Sequence, residues 1–309
     1  MKDDFTHHYK RRAFYHDYRS PAIYHVTLNK SNEAPLFGNL TGDYRIKNGE
    51  PGCVRVELSM LGTIIRNIIH SIPVYHPVVE LYQYIVMPDH IHVLLRIKEY
   101  SPKPLGYYIS NLTGAVTREW RAMAGVAYSV FEKGYNDKII GSTRSLDTVF
   151  RYIRDNPRRL AVRRACPEYF RRVNKITIAG HACRAYGNFQ LLQCPFKEQV
   201  VVHRADSQAV CAANHAKWIY TAANGGVLVS PFISPAEKAV RTEADEVGGR
   251  FITITNRPME ERYKPAGRDF ELCEAGRLLI VSPDSLDIDL TRRTCMAMNS
   301  LAAEMCKAV

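Results

Sequence analysis

The run Val78-Val79-Glu80-Leu81-Tyr82-Gln83-Tyr84-Ile85-Val86-Met87-Pro88-Asp89-His90-Ile91-His92-Val93-Leu94-Leu95-Arg96-Ile97 decides how the first half of this chain folds. Two β-rich stretches, Val78 to Met87 and Ile91 to Ile97, flank the turn pair Pro88-Asp89. On the second stretch alternate residues share a face. His90, His92, Leu94 and Arg96 point one way, and Ile91, Val93, Leu95 and Ile97 point toward a core under helices. Two imidazoles two residues apart, with Cα atoms ~6.6 Å apart, can converge on one divalent ion. A bare His-x-His is also an ordinary packing pair, so the spacing alone leaves both readings open.

Working outward, Ala22 to Leu28 is another β-rich run, and Pro51-Gly52 punctuates a polar loop. Leu58, Leu61, Ile64, Ile65 and Ile68 recur at helical spacing. Downstream, Pro104 opens a helix carrying Leu105, Ile109, Leu112, Val116 and Trp120. Tyr128 to Ile140 holds a strand. Leu146, Val149, Phe150 and Ile153 form the stripe of a further helix, which Pro157 is expected to limit. The order β-α-β-β-α-β plus one helix is a split βαβ arrangement, an α+β fold with a mainly antiparallel sheet and helices on one face. Tyr152 and Asn156 lie beside the last stripe, four residues apart and stacked on one flank. They are either packing residues or a phenol and an amide facing the sheet.

The second half has strand–helix–strand rhythm. Gln199 to His203, Val227 to Val229, Phe251 to Thr255 and Leu278 to Val281 are short apolar strands. Helices are expected around 209–222 and from Ser234 through Val247. Such strands imply a parallel sheet covered on both faces, an α/β domain. The boundary is placed between 170 and 185, giving domains 1–175 and 176–309.

Composition bounds the partners. The chain has 309 residues, 46% hydrophobic and 24% charged, which is globular composition. No window approaches the ~18 apolar residues of a membrane span. The N-terminus has no apolar core of the signal-peptide kind, so a cytoplasmic protein is expected. The eight cysteines form no Cys-x-x-Cys pair and are expected to be reduced and mostly buried. Net charge is +11, and residues 1–175 carry all of it, with 27 Lys/Arg against 16 Asp/Glu. One basic half beside one neutral half suggests that the first meets a polyanion. The arginines at 151, 154, 158, 159, 163, 164, 171 and 172 fit phosphate contact, though a solvated face would also carry them.

Three blocks carry a resemblance. Pro88 to Leu95 resembles the His-hydrophobic-His (HUH) motif of single-tyrosine DNA-nicking enzymes. Gly134-Tyr135-Asn136-Asp137-Lys138-Ile139-Ile140 and Tyr152-Ile153-Arg154-Asp155-Asn156-Pro157 resemble two further blocks of one branch, the REP-associated tyrosine transposases, relatives of the small IS200-like transposases. The resemblance spans roughly residues 15–165. It implies a nucleophile at Tyr152 and metal ligands at His90, His92 and Asn156. It further implies a transposase or endonuclease that nicks and rejoins single-stranded hairpin DNA through a 5′-phosphotyrosine. Phenols, with pKa near ~10, need a cation to help at neutral pH. A mixed His-His-Asn site suits Mg²⁺ or Mn²⁺. The second half resembles, more loosely, the Rossmann-like domain of DNA-processing protein A, through Gly225 to Phe232 and the helix that follows. A phosphate could then sit at the helix start near Ser234. No Gly-x-Gly-x-x-Gly or Walker-type loop is present. Two alternatives stay open: a catalytically silent hairpin-DNA-binding protein of the same fold, and a nucleotide-binding enzyme run by the second half.

Overall fold

The structure, a computed structural model, describes residues 13, 15–203, 205–260 and 263–307, with the side chains of 144 and 145 excepted. The chain divides into two compact units, 1–161 and 162–309.

In the first unit a four-stranded antiparallel sheet has the order β4-β5-β1-β6. Its strands are β1 (Ala22–Asn29), β4 (Val79–Val86), β5 (His90–Ile97) and β6 (Asn136–Ile140). Helix α1 (Met60–Tyr75) connects β1 to β4 and α2 (Leu105–Ala124) connects β5 to β6. This is the split βαβ arrangement. Alternation places Tyr24, Val26, Leu28, Ile91, Val93, Leu95 and Ile97 against α1 and α2 in one buried core. Burying such side chains stabilises by roughly 1.5–3 kcal/mol each.

Helix α3 (Thr143–Ala165) lies on the opposite face of the sheet, packing Val149 and Ile153 on Leu94 and Ile140. The expectation of helices on one face therefore holds for α1 and α2 only. Nor does Pro157 limit α3: the helix runs eight residues beyond it, although proline removes one ladder bond. A bulge in β4 between Leu81 and Gln83 turns Tyr82 to the α3 face, where it stacks on Phe150 with centroids 6.4 Å apart.

An excursion between β1 and α1 was not expected. It contains the hairpin β2 (Gly38–Thr41) and β3 (Arg55–Leu58). Its return is pinned at Ser59, whose N–H donates to Phe37 O at 3.0 Å and whose Oγ caps Gly62 N at 3.1 Å. A Cβ at Gly62 would run into the Phe37 carbonyl, so this helix start requires glycine.

The second unit is built on a six-stranded sheet, β7-β8-β12-β11-β10-β9. Strands β9 (Lys197–Gln199), β10 (Val227–Ser230), β11 (Arg250–Ile254) and β12 (Leu278–Pro283) are parallel, as expected, but β9 ends at Gln199, where the expected strand Gln199 to His203 begins. Strands β7 (Arg171–Ile178) and β8 (His181–Gly187) join antiparallel, making the sheet mixed. They occupy the stretch where the domain boundary was placed, which is why the units divide earlier than residue 175. Helices α4 (Gln208–Ala223), α5 (Pro235–Glu246) and α6 (Arg268–Glu274) fill the connections between the parallel strands. Helix α7 (Arg292–Lys307) buries Met298, Leu301, Ala302 and Met305 against Val227, Val229, Ile252 and Leu279.

All eight cysteines are free thiols, but only Cys183 and Cys273 are buried, so "mostly buried" does not hold. Burial pushes these two thiols up, to about 11 and about 12. No described helix is long and apolar enough to cross a membrane.

Candidate active site

The site lies on the sheet face that α3 covers. The Pro88-Asp89 turn is tight: Met87 N–H donates to His90 O at 2.8 Å. Pro88 O and Asp89 O accept from Phe37 N and Lys30 N, at 2.8 and 2.9 Å. His90 therefore starts β5 at a fixed point, and His92 follows on the same face. In the antiparallel register Thr27 sits opposite His92 and Asn29 opposite His90. His25 lies one alternation further along β1, opposite Leu94 on one side and Lys138 of β6 on the other.

His90 Nε2 and His92 Nε2 are 3.1 Å apart. The outer nitrogen of each ring is engaged. His90 Nδ1 lies 2.7 Å from Asp89 Oδ1, and an ionised carboxylate only accepts, so this nitrogen carries the hydrogen. A neutral His90 then presents a bare Nε2. His92, 4% exposed, has Nδ1 3.0 Å from both His25 Nε2 and Thr27 Oγ1. Burial first, and then the Lys138 ammonium, pushes His25 down to about 4, so its ring is neutral at neutral pH.

Helix α3 brings Tyr152 over these rings. Its centroid is 5.5 Å from that of His92 and 5.9 Å from that of His25, both edge-on at 70°. The Arg159 guanidinium stands over the same phenol ring, 5.7 Å from its centroid. Asn156, one turn on, is 4% exposed, and its Nδ2 has no hydrogen-bond partner among the described residues. A buried amide without a partner is costly and calls for a ligand or water.

The structure thus gathers His90, His92 and Tyr152 and buries Asn156 on the flank it shares with Tyr152. Tyr135, the other phenol in the resembled blocks, packs in the core against α1 and α2, on the other face of the sheet. Elsewhere in the first unit, Tyr108 is buried, Tyr84 hydrogen-bonds His70 at 2.8 Å, and Tyr107 is exposed. His25 and Thr27 were missed by sequence reasoning. The signal was the polar alternation His25, Thr27, Asn29 on β1, which needs the β1–β5 register to gain meaning.

Donor chemistry fits a divalent ion. His90 Nε2 and His92 Nε2, 3.1 Å apart, need either a hydrogen or a cation between them. Among the described residues no three His, Cys, Asp or Glu side chains gather as a metal group. The remaining ligands would therefore be oxygens from the Asn156 amide, water or substrate, the kind Mg²⁺ and Mn²⁺ favour.

The second unit offers no matching phosphate site at α5. Its first turn is closed by a capping box, with Ser234 Oγ accepting from Glu237 N and Glu237 Oε2 accepting from Ser234 N and Ile233 N. A buried carboxylate occupies the place expected for the phosphate.

Residues 59–156 match the family described as transposase IS200-like. An uncharacterized protein of Haemophilus influenzae is 22% identical over 172 residues, covering 48% of this chain and 89% of that one. Among solved structures, a REP-associated tyrosine transposase bound to a REP hairpin is 16% identical, covering 47% of this chain and 70% of that one, with a TM-score of 0.33. DNA processing protein A from Streptococcus pneumoniae is 23% identical, covering 41% of this chain and 44% of that one, with a TM-score of 0.30. The family match contains His90, His92, Tyr152 and Asn156, so over these residues the first unit is similar to IS200-like transposases.

Proposed function

We propose that the first unit nicks and rejoins single-stranded hairpin DNA, with Tyr152 as nucleophile and His90, His92 and Asn156 as ligands for Mg²⁺ or Mn²⁺. The observation that carries this reading is the placement of the Tyr152 ring 5.5 Å from His92, whose Nε2 faces that of His90 at 3.1 Å. When bound, the ion would polarise the scissile phosphate and offset its charge. Tyr152 Oη attacks phosphorus and gives up its proton to solvent. The bond to the 3′ oxygen breaks, that oxygen takes a proton, and a 5′-phosphotyrosine and a free 3′-OH result. Rejoining is the reverse, with a 3′-OH attacking the phosphotyrosine. Because Tyr152 and Asn156 ride on one helix, α3 fixes the distance between attacking oxygen and ligand amide, which in-line attack requires.

The experiment is incubation of the full chain with a labelled oligonucleotide containing a hairpin and its 5′ flank. A covalent protein–DNA adduct that needs Mg²⁺ or Mn²⁺ and disappears with EDTA is expected. Hairpin binding with no adduct under any divalent ion would leave a binding protein and overturn the reading.

A further inference from the structure

We propose that an open groove along α2 holds the backbone of the paired DNA stem without reading its sequence; this rests on the substrate being hairpin DNA. The groove lies between α2 and the loop 129–134, on the side of the sheet away from α3. Arg118, Arg121 and Lys133 line it and are exposed, and Glu132 is the one carboxylate among its described lining residues. No described carboxylate forms an ion pair with any of these cations. The groove is held in shape by its own contacts. Val130 N–H donates to Thr117 Oγ1 at 3.3 Å and Arg121 Nε donates to Tyr128 O at 3.0 Å, which ties the loop to α2. Glycine at 114 keeps room for a guanidinium, since a Cβ there would stand 3.2 Å from Arg118 Nη1.

The residue types select the partner. Arginine, lysine and hydroxyl side chains, here including Ser110 and Thr113, are those that contact phosphate and sugar. A single strand is held on aromatic platforms, and the one ring among the described lining residues, Phe131, is 3% exposed and packed in the core. Base edges are read by an element that enters a groove of the DNA, whereas this surface is concave and receives a backbone ridge. The loop also leads to the candidate active site. Glu132 N–H donates to Asn29 O at 3.0 Å, and Asn29 Nδ2 donates to Glu132 Oε2 at 3.2 Å. Asn29 is directly opposite His90 across the β1–β5 pair. The wall of the groove is thus joined to the strand end beside His90, and a strand leaving the stem passes round this end of the sheet toward Tyr152.

Binding is measured with the full chain in EDTA over a range of salt. The probes are a hairpin with its 5′ flank, the same hairpin with its stem pairs exchanged, and the flank alone. Wild type should bind the two hairpins within about twofold of each other, because backbone contacts carry no sequence information, and the flank more weakly. Arg118→Gln with Lys133→Gln should reduce the salt slope for both hairpins by about 1.8, at about 0.9 per duplex phosphate, and leave binding of the flank unchanged. Arg118→Lys with Lys133→Arg keeps both charges and should keep the slope. Arg121 stays in place because it holds the loop. An equal loss on the flank, or an unchanged slope for the hairpins, would overturn the proposal. So would a wild type that binds the flank as tightly as the hairpin, or that separates the two stems by more than about tenfold, the cost of a read base pair. Adduct formation with Mg²⁺ or Mn²⁺ is scored separately: a wild type that binds as expected and forms no adduct overturns the nicking reading and leaves the stem placement standing.

Discussion

Tyr152 and Tyr135 belong to the same resembled region, and their surroundings differ. Tyr135 is 9% exposed and packed among aliphatic side chains under α1 and α2. Tyr152 is on α3, its ring against His25 and His92 and its neighbour one turn on a buried amide. Tyr152→Phe removes one oxygen and should eliminate the covalent adduct while hairpin affinity stays within about twofold, since affinity is spread over many phosphate contacts. Tyr135→Phe should keep adduct formation. Peptide mass spectrometry of trapped adduct decides, and a phosphotyrosine in the peptide holding Tyr135 would reverse the assignment. His90→Ala and His92→Ala should each abolish cleavage yet leave binding within about an order of magnitude, because the proposed ion would act on the scissile phosphate and not on overall affinity. Gel shift and cleavage on one substrate separate the two effects; full cleavage by the double variant would exclude these ligands.

Helix α3 shows how an element is held where its own sequence weakens it. Pro157 breaks the ladder one residue after Asn156, and the β2–β3 excursion clamps both sides of that break. Asn48 Nδ2 donates to Asp155 Oδ1 at 2.8 Å, and Arg158 Nε donates to Tyr44 O at 2.8 Å. Asn48→Ala should cost about 1 kcal/mol and lower the rate of adduct formation more than hairpin affinity; equal losses of both, or of neither, would deny the clamp a role in placing Tyr152. In the second unit, Asp245 in the last turn of α5 receives Arg268 Nη2 and Arg277 Nη2, each at 2.7 Å. Hydrogen bonding by Arg268, and then by Arg277, holds its carboxyl below the usual carboxylate range against the opposing effect of burial. A depressed folded pKa means that its stabilisation is full above the unfolded value near ~3.9 and is lost as pH falls through the folded one. Asp245→Asn should therefore lower the thermal midpoint at pH 7 and lose less than wild type between pH 4 and 2 by calorimetry. Parallel pH curves for the two proteins would contradict this. The elements themselves were legible where periodicity was long and clean, as in α2 or β5. β2, β3, β7 and β8 were not, because their half-polar runs gain strand character only from a partner across the sheet. Continuation of α3 past Pro157 was hidden for the same reason, its support coming from residues over a hundred positions away. His90, His92, Tyr152 and Asn156 stood out from spacing and resemblance, whereas the contacts of His25 and Thr27 with His92 follow only from pairing register.

Charge is a property of the whole molecule, and the structure redistributes it. With the units divided at 161/162, the first carries 22 Lys/Arg against 15 Asp/Glu and the second 20 against 16. The excess is +7 and +4, because the arginine-rich run from 151 to 172 straddles the division. The simple picture of one basic and one neutral half therefore weakens, and surface position matters more than the count. An open groove in the first unit runs beside α3, lined by Arg55, Arg66 and Arg154 with Tyr84 and Asn48. Basic side chains interleaved with an aromatic are what a single strand uses for backbone and base contact. Arg55 and Arg66 are exposed, on β3 and α1. Removing a cation that pairs with one phosphate lowers the salt slope of single-strand binding by about 0.7. Arg55→Gln with Arg66→Gln should thus reduce the slope by about 1.4 and weaken hairpin binding, while the rate of adduct formation at saturating DNA holds. Arg292→Gln with Arg293→Gln removes the same charge from the exposed start of α7 in the second unit and should leave the slope unchanged. Affinity measured over a range of salt for the two double variants distinguishes a strand lying in this groove from a diffuse attraction to net charge. Equal reductions of slope in both pairs would favour the diffuse attraction, and a larger reduction in the α7 pair would move the DNA path to the second unit.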